Sequence, residues 1–146
     1  MNYPTYLLHA SENVKFFEFV SDGVKGKIQK VIAYTETQTV NMYNLGFGDK
    51  DLDTGEIDDM VVSDNGDTAL VLATVFKSLY LFTDEYPESW VVFTGSTESR
   101  TRLYRRLVSQ NYDIIAQDFD VYGLINGKWT SFLNNESYQA FLLKRL

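Results

Sequence analysis

The chain has 146 residues, 45% of them hydrophobic and 15% aromatic, and carries 13 Lys and Arg against 20 Asp and Glu for a net charge of −7. That content suits one domain with a buried core and excludes a disordered chain. The absence of cysteine excludes disulfide scaffolds, thiolate metal sites and cysteine nucleophiles, and a single histidine leaves little for a zinc centre or a histidine base, so no metal or cofactor is expected. The acidic balance argues against wrapping bare nucleic acid over a broad surface. No apolar run reaches the ~18 residues of a spanning helix, and the opening MNYPTYLLHASE lacks a basic segment followed by an apolar one, which predicts a cytoplasmic protein without a membrane partner.

Taken in chain order, the first half reads as strands. VKFFEFV and KIQKVIAYT flank SDGVKG, in which Asp22-Gly23 suits a tight turn, and Ile28, Ile32 and Tyr34 share the parity of a half-buried strand. TVNMYNLGF follows a polar break at Glu36 to Gln38 and completes an expected antiparallel meander, and a short strand from about Ile57 to Val62 ends at SDNGD. Asp67 then stands at an N-cap position before TALVLATVFKSLYLF, a helix apolar in every direction except a stripe of Thr74, Lys77 and Ser78. Trp90 to Phe93 is apolar throughout, as in a strand covered on both faces.

A second helix is expected from about Thr97 to Ser109, giving way to NYDIIAQDFDVYGLI, and Asn126-Gly127 marks a hairpin into KWTSF. A third, short helix is expected from about Glu136 to Leu143, with Lys144 and Arg145 near its carboxyl end. The fold class is therefore α+β, one domain over residues 1–146, with a largely antiparallel sheet and about three helices. No repeat, low-complexity tract or linker divides it.

The densest chemical signal is VVFTGSTESRTRLYRRL, residues 91–107. Four arginines stand within seven residues, and without them 9 basic residues face 20 acidic ones, a balance of −11. A buried strand, a glycine and a capped helix start aim unpaired backbone N–H groups at whatever lies above the strand end, which favours an anion. On a helical wheel Arg100 shares the arc of Leu103, Tyr104, Leu107 and Val108, whereas Arg102, Arg105 and Arg106 point away. Gly95, Ser96, Thr97, Arg100 and Tyr104 are therefore the candidate ligand-binding residues, with the Arg100 guanidinium able to hold a phosphate or carboxylate bidentately. Each has a plainer reading: Ser96 and Thr97 as caps, Arg100 as the partner of a carboxylate such as Asp49, Asp58, Asp59 or Asp67, and the outward arginines as a solvated helix face. There is no Walker pattern.

The segments NLGFGD (44–49), IDD (57–59), NGD with VLATV (65–75), YP (86–87) and GSTESRTRLYRRL (95–107) together resemble a family of small uncharacterised bacterial proteins of the Bacteroidota type. The resemblance covers nearly the whole chain, and its most recognisable part is the Gly-Ser-Thr to Leu-Tyr block. It implies a single-domain cytoplasmic protein and carries no activity.

Three other constellations are weaker. GDKDLDTGEIDD places Asp49, Asp51 and Asp53 at alternate positions, but Thr54 stands where a calcium loop requires glycine and Met60 where it requires a bidentate glutamate, so an acidic surface loop is expected. Gly95-Ser96 with Asp118-Phe119-Asp120 resembles a nucleotidyltransferase pattern, but 21 residues separate Ser96 from Asp118, too long a gap, and alternating Asp118 and Asp120 fit the polar side of an edge strand. His9 has no partner pattern, and the aromatic residues suit a core before a base-stacking platform. Two functions follow. One is binding of a phosphate-bearing ligand, nucleotide or RNA end at Gly95, Ser96, Thr97 and Arg100, with no catalytic base assignable. The other is an interaction protein, one member of a regulatory pair of the toxin-antitoxin kind, docking an acidic partner through Arg102, Arg105 and Arg106.

Overall fold

The computed structural model describes residues 4–55, 57–58, 65–95, 97–133 and 136–146, with the side chains of Asp58 and Leu107 outside that set. The chain forms two compact units, one of Met1–Thr35 with Leu45–Tyr86 and one of Glu36–Asn44 with Pro87–Leu146. The class is α+β and the strand pairs are mostly antiparallel, as expected.

In the first unit, strands β1 (His9–Ala10), β2 (Phe16–Gly23), β3 (Gly26–Glu36) and β4 (Met42–Lys50) are neighbours in that order, and β5 (Ile57–Asp58) pairs with β4. Residues 59–62 of the strand expected to continue β5 lie outside the described residues. The alternation of Phe17, Phe19 and Ser21 sends one face of β2 inward, and Ile28, Lys30, Ile32 and Tyr34 occupy the same face of β3 through the register Phe19↔Lys30 and Phe17↔Ile32. That register also moves the turn: Gly23 pairs with Gly26, so Val24-Lys25 forms the loop and Asp22-Gly23, expected to turn, stays in the strand.

The expected helix is α1 (Thr68–Glu85), and Asp67 stands at its N-cap. Its polar stripe is corrected, because Thr74 and Ser78 are fully buried and only Lys77 of the three is exposed. Buried hydroxyls are tolerated here because each is bonded: Thr74 Oγ1 donates to Leu70 O at 2.8 Å and accepts the Tyr6 amide at 2.8 Å, and Ser78 Oγ meets Tyr34 Oη at 2.8 Å. Tyr34 also stacks on Phe82 with ring centroids 4.2 Å apart, and burial pushes its phenol far above the usual tyrosine range. Each fully buried phenylalanine, Phe17, Phe19 and Phe82 among them, contributes about 1.5–3 kcal/mol.

In the second unit the strand order is the start of β4, β6 (Trp90–Phe93), β9 (Ala140–Arg145), β7 (Phe119–Ile125) and β8 (Lys128–Ser131). Met42 to Asn44 run parallel to β6, and the other pairs are antiparallel. Asn126-Gly127 forms the expected turn between β7 and β8, with φ of 51° and 74°. Two expectations are corrected. The helix α2 (Glu98–Asp118) runs past Ser109 through NYDIIAQD, because Val108 and Ile115 carry its buried face onward toward Phe119. The chain from Ala140 is strand, not helix, and lies between β6 and β7 with Ala140 to Leu143 all buried; a short apolar run fits either period, and pairing on both sides decides it. Lys144 and Arg145 therefore cap no helix: Lys144 Nζ donates to Pro87 O at 2.9 Å and Arg145 lies over the Phe119 ring. Asp118 closes α2 and Asp120 lies on β7, an interior strand, so they do not alternate along an edge.

Candidate functional site

The helix start expected to hold a ligand is formed by β6, Gly95 and the first turn of α2. A Cβ at Gly95 would lie 2.3 Å from the Thr101 amide nitrogen and 2.6 Å from the Arg100 backbone, so only glycine lets the strand end pass that close to the helix. Thr97 is extended, at φ −131° and ψ 162°, and its Oγ1 accepts the Arg100 amide at 3.2 Å. Thr101 Oγ1 accepts the Gly95 amide at 3.1 Å and donates to Thr97 O at 3.1 Å. Two amides of this turn are thus bonded within the protein, and Glu98 places a carboxylate in the first turn where the helix dipole favours negative charge.

Arg100 is half-buried, and Tyr104 is half-buried with its ring edge-on to Phe93 at 5.8 Å. Ser96 lies outside the described residues. Thr97, Arg100 and Tyr104 follow Gly95 along one turn and the next, Tyr104 packing against the core side. Arg102 and Arg106, one turn apart, are exposed, whereas Arg105, expected on the same solvated face, is half-buried like Arg100 because it stands next to the arc of Val108. An open groove of about 310 Å³ runs along Glu36 to Tyr43, walled by that single contiguous segment. Among the described residues no three His, Asp or Glu side chains are grouped to hold a metal, and no helix is long and apolar enough to cross a membrane.

A second polar cluster, in the first unit, was not expected from the sequence. Asp67 leaves its cap position without a side-chain cap bond and instead accepts Ser21 Oγ and Tyr6 Oη, each at 2.5 Å. Asn65 Nδ2 donates to Ser21 Oγ at 3.1 Å and to Gly26 O at 2.8 Å, its Oδ1 accepts the Lys25 amide at 2.6 Å, and its backbone oxygen accepts the Val24 amide at 3.0 Å. Asn65 therefore supplies the acceptors that the Val24-Lys25 turn needs. Nearby, Lys30, 6% exposed, is ion-paired to Asp49, and Lys50 is paired to Glu18 at 2.8 Å.

Partial burial pushes the Asp67 carboxyl up, but the Ser21 and Tyr6 hydrogen bonds and the Lys30 charge outweigh it and hold the group below the ordinary aspartate range. Burial and the Asp67 carboxylate raise the Tyr6 phenol. The Ser21 hydroxyl both donates and accepts within this cluster, which suits a latch between the hairpin and α1 rather than a nucleophile. The readable signals were Lys30 at a core parity of β3 and Asn65-Gly66 just ahead of the cap; Tyr6, far away in sequence, carries no local signal.

Neither a curated protein nor a solved structure matches the chain. The profile of the Family of unknown function (DUF6934) matches residues 2–146, and the chain belongs to that family.

Proposed function

We propose that the chain is a cytoplasmic interaction protein that docks an acidic partner protein on the outer face of α2, as one half of a regulatory pair of the toxin-antitoxin kind. The observation that carries this reading is the exposure of Arg102 and Arg106 one turn apart, with Arg105 between them, in a chain that is otherwise strongly acidic. Like charges four residues apart cost a helix about 0.2–0.5 kcal/mol, and Glu98, four residues before Arg102, offsets only part of that. The cluster therefore has little to offer the fold. It has much to offer recognition, because a local positive patch orients and speeds encounter with a negative surface.

The test is binding of a polyglutamate peptide, followed by fluorescence anisotropy at low and moderate salt. Arg102→Glu with Arg106→Glu abolishes binding under this reading, while Arg100→Ala leaves it nearly unchanged.

The second reading is a phosphate-bearing ligand, nucleotide or RNA end, held at Gly95, Ser96, Thr97 and Arg100 and oriented by Tyr104. It is favoured by a half-buried arginine in the first turn of a capped helix directly behind a strand-ending glycine. Amide NMR titration with phosphate, nucleotides and a short RNA separates the two: saturable shifts at Gly95 to Arg100 that Arg100→Ala removes support the ligand site, and their absence leaves the docking surface.

A further inference from the structure

We infer that Asn126-Gly127 is a spontaneous deamidation site of the folded chain, and that the fold shields the identical dipeptide Asn65-Gly66 from the same reaction. An asparagine followed by glycine is the most susceptible arrangement for this chemistry, because glycine leaves its backbone nitrogen unhindered. The Gly127 nitrogen, losing its proton to solvent base, attacks Asn126 Cγ. The new N–Cγ bond closes a succinimide, the Cγ–Nδ2 bond breaks, and nitrogen leaves as ammonia. Water then opens the ring at either carbonyl, giving aspartate or isoaspartate.

The chain contains this dipeptide twice, and the structure treats the two copies oppositely. Asn126 and Gly127 are both exposed at the tip of a two-residue turn beyond the last ladder pair, Ile125↔Lys128. A Cβ at Gly127 would meet nothing within 4 Å, so attacking nitrogen, side-chain amide and water have room. Asn65 is 3% exposed. Its side-chain amide is held by Ser21 Oγ, Gly26 O and the Lys25 amide together, and a Cβ at Gly66 would already lie 3.3 Å from Val24 Cγ1. Turning Asn65 Cγ toward the Gly66 nitrogen breaks all three bonds.

The product matters for the fold. Isoaspartate adds a backbone methylene to a turn whose length sets the β7–β8 register, and either product adds a carboxylate to that turn. β8 is the outermost strand of its unit and fully exposed, so its pairing to β7 is what loosens.

The unmodified protein tests this, because each dipeptide is the reference for the other. The chain is incubated folded at mildly alkaline pH, and in parallel in denaturant, then digested and mapped by mass spectrometry for amide-to-acid conversion. In the folded sample Asn126 converts more than about tenfold faster than Asn65, since reaction at Asn65 requires local opening, and in denaturant the two rates converge. Conversion of Asn65 as fast as Asn126 in the folded chain overturns the inference, and so does an Asn126 that converts only in denaturant.

Discussion

A Cβ placed on Gly23 would lie 2.0 Å from the carbonyl oxygen of Asn65, so strand β2 and the segment leading into α1 meet backbone to backbone at that point. Asn65 exploits the closeness by accepting the Val24 and Lys25 amides and donating to Gly26 O. Gly23→Ala must push the two segments apart and is expected to destabilise the chain by about 1–3 kcal/mol, the cost of overpacking a tight contact. Asn65→Ala keeps the space but removes the side-chain partners of the Lys25 amide and Gly26 O, and is expected to cost about 2–3 kcal/mol. Urea denaturation of the two variants checks both values.

Asp67 ties stability to acid. Its folded-state carboxyl titrates below the ordinary aspartate range, so the ionised form is favoured by folding. The resulting stability is fully present above the unfolded-state value and is lost as pH falls through the depressed folded one. Asp67→Asn is expected to lower stability at neutral pH and to flatten the acid limb of the stability profile over that window, read by thermal melts across an acid series. An acid limb unchanged in slope would assign the dependence to other carboxylates.

Val14 has φ of 59°, a left-handed conformation that a β-branched side chain adopts only under strain. Contacts on either side hold this backbone in place: the Asn13 carbonyl accepts Tyr86 Oη at 2.6 Å, and Lys15 Nζ lies over the Tyr86 ring. Val14→Gly keeps that backbone at lower conformational energy and is expected to stabilise the chain by roughly 1 kcal/mol. A lower midpoint in denaturant would show that the half-buried Val14 side chain contributes more than its backbone costs.

Thr97 caps α2 by accepting the Arg100 amide. Thr97→Ala is expected to cost about 1 kcal/mol, and Thr97→Asp to restore it, because aspartate both caps and suits the helix dipole. The same pair bears on the phosphate reading: an aspartate that restores stability would repel an anion at this turn, so phosphate binding is lost in a variant that remains folded.

Local patterns in the sequence determined much of this protein. Alternation along β3 put Ile28, Ile32 and Tyr34 on one face, Asp67 and Thr97 marked both helix starts, and Asn126-Gly127 marked a hairpin, because each depends on side chains and backbone within a few residues. The exposure of Arg102 and Arg106 was likewise legible from helical spacing, whereas Arg105, expected outside the apolar arc with them, is half-buried. Only tertiary structure decided the rest. Ala140 to Leu143 became strand because β6 and β7 offer ladders on both sides, which local propensity cannot register. Lys30 was admitted to a core position because Asp49 reaches it, and Asp67 gave up its capping bond because Tyr6 and Ser21 arrive from distant parts of the chain. A buried polar group is acceptable only once its partners are in place, and those partners are a property of the fold.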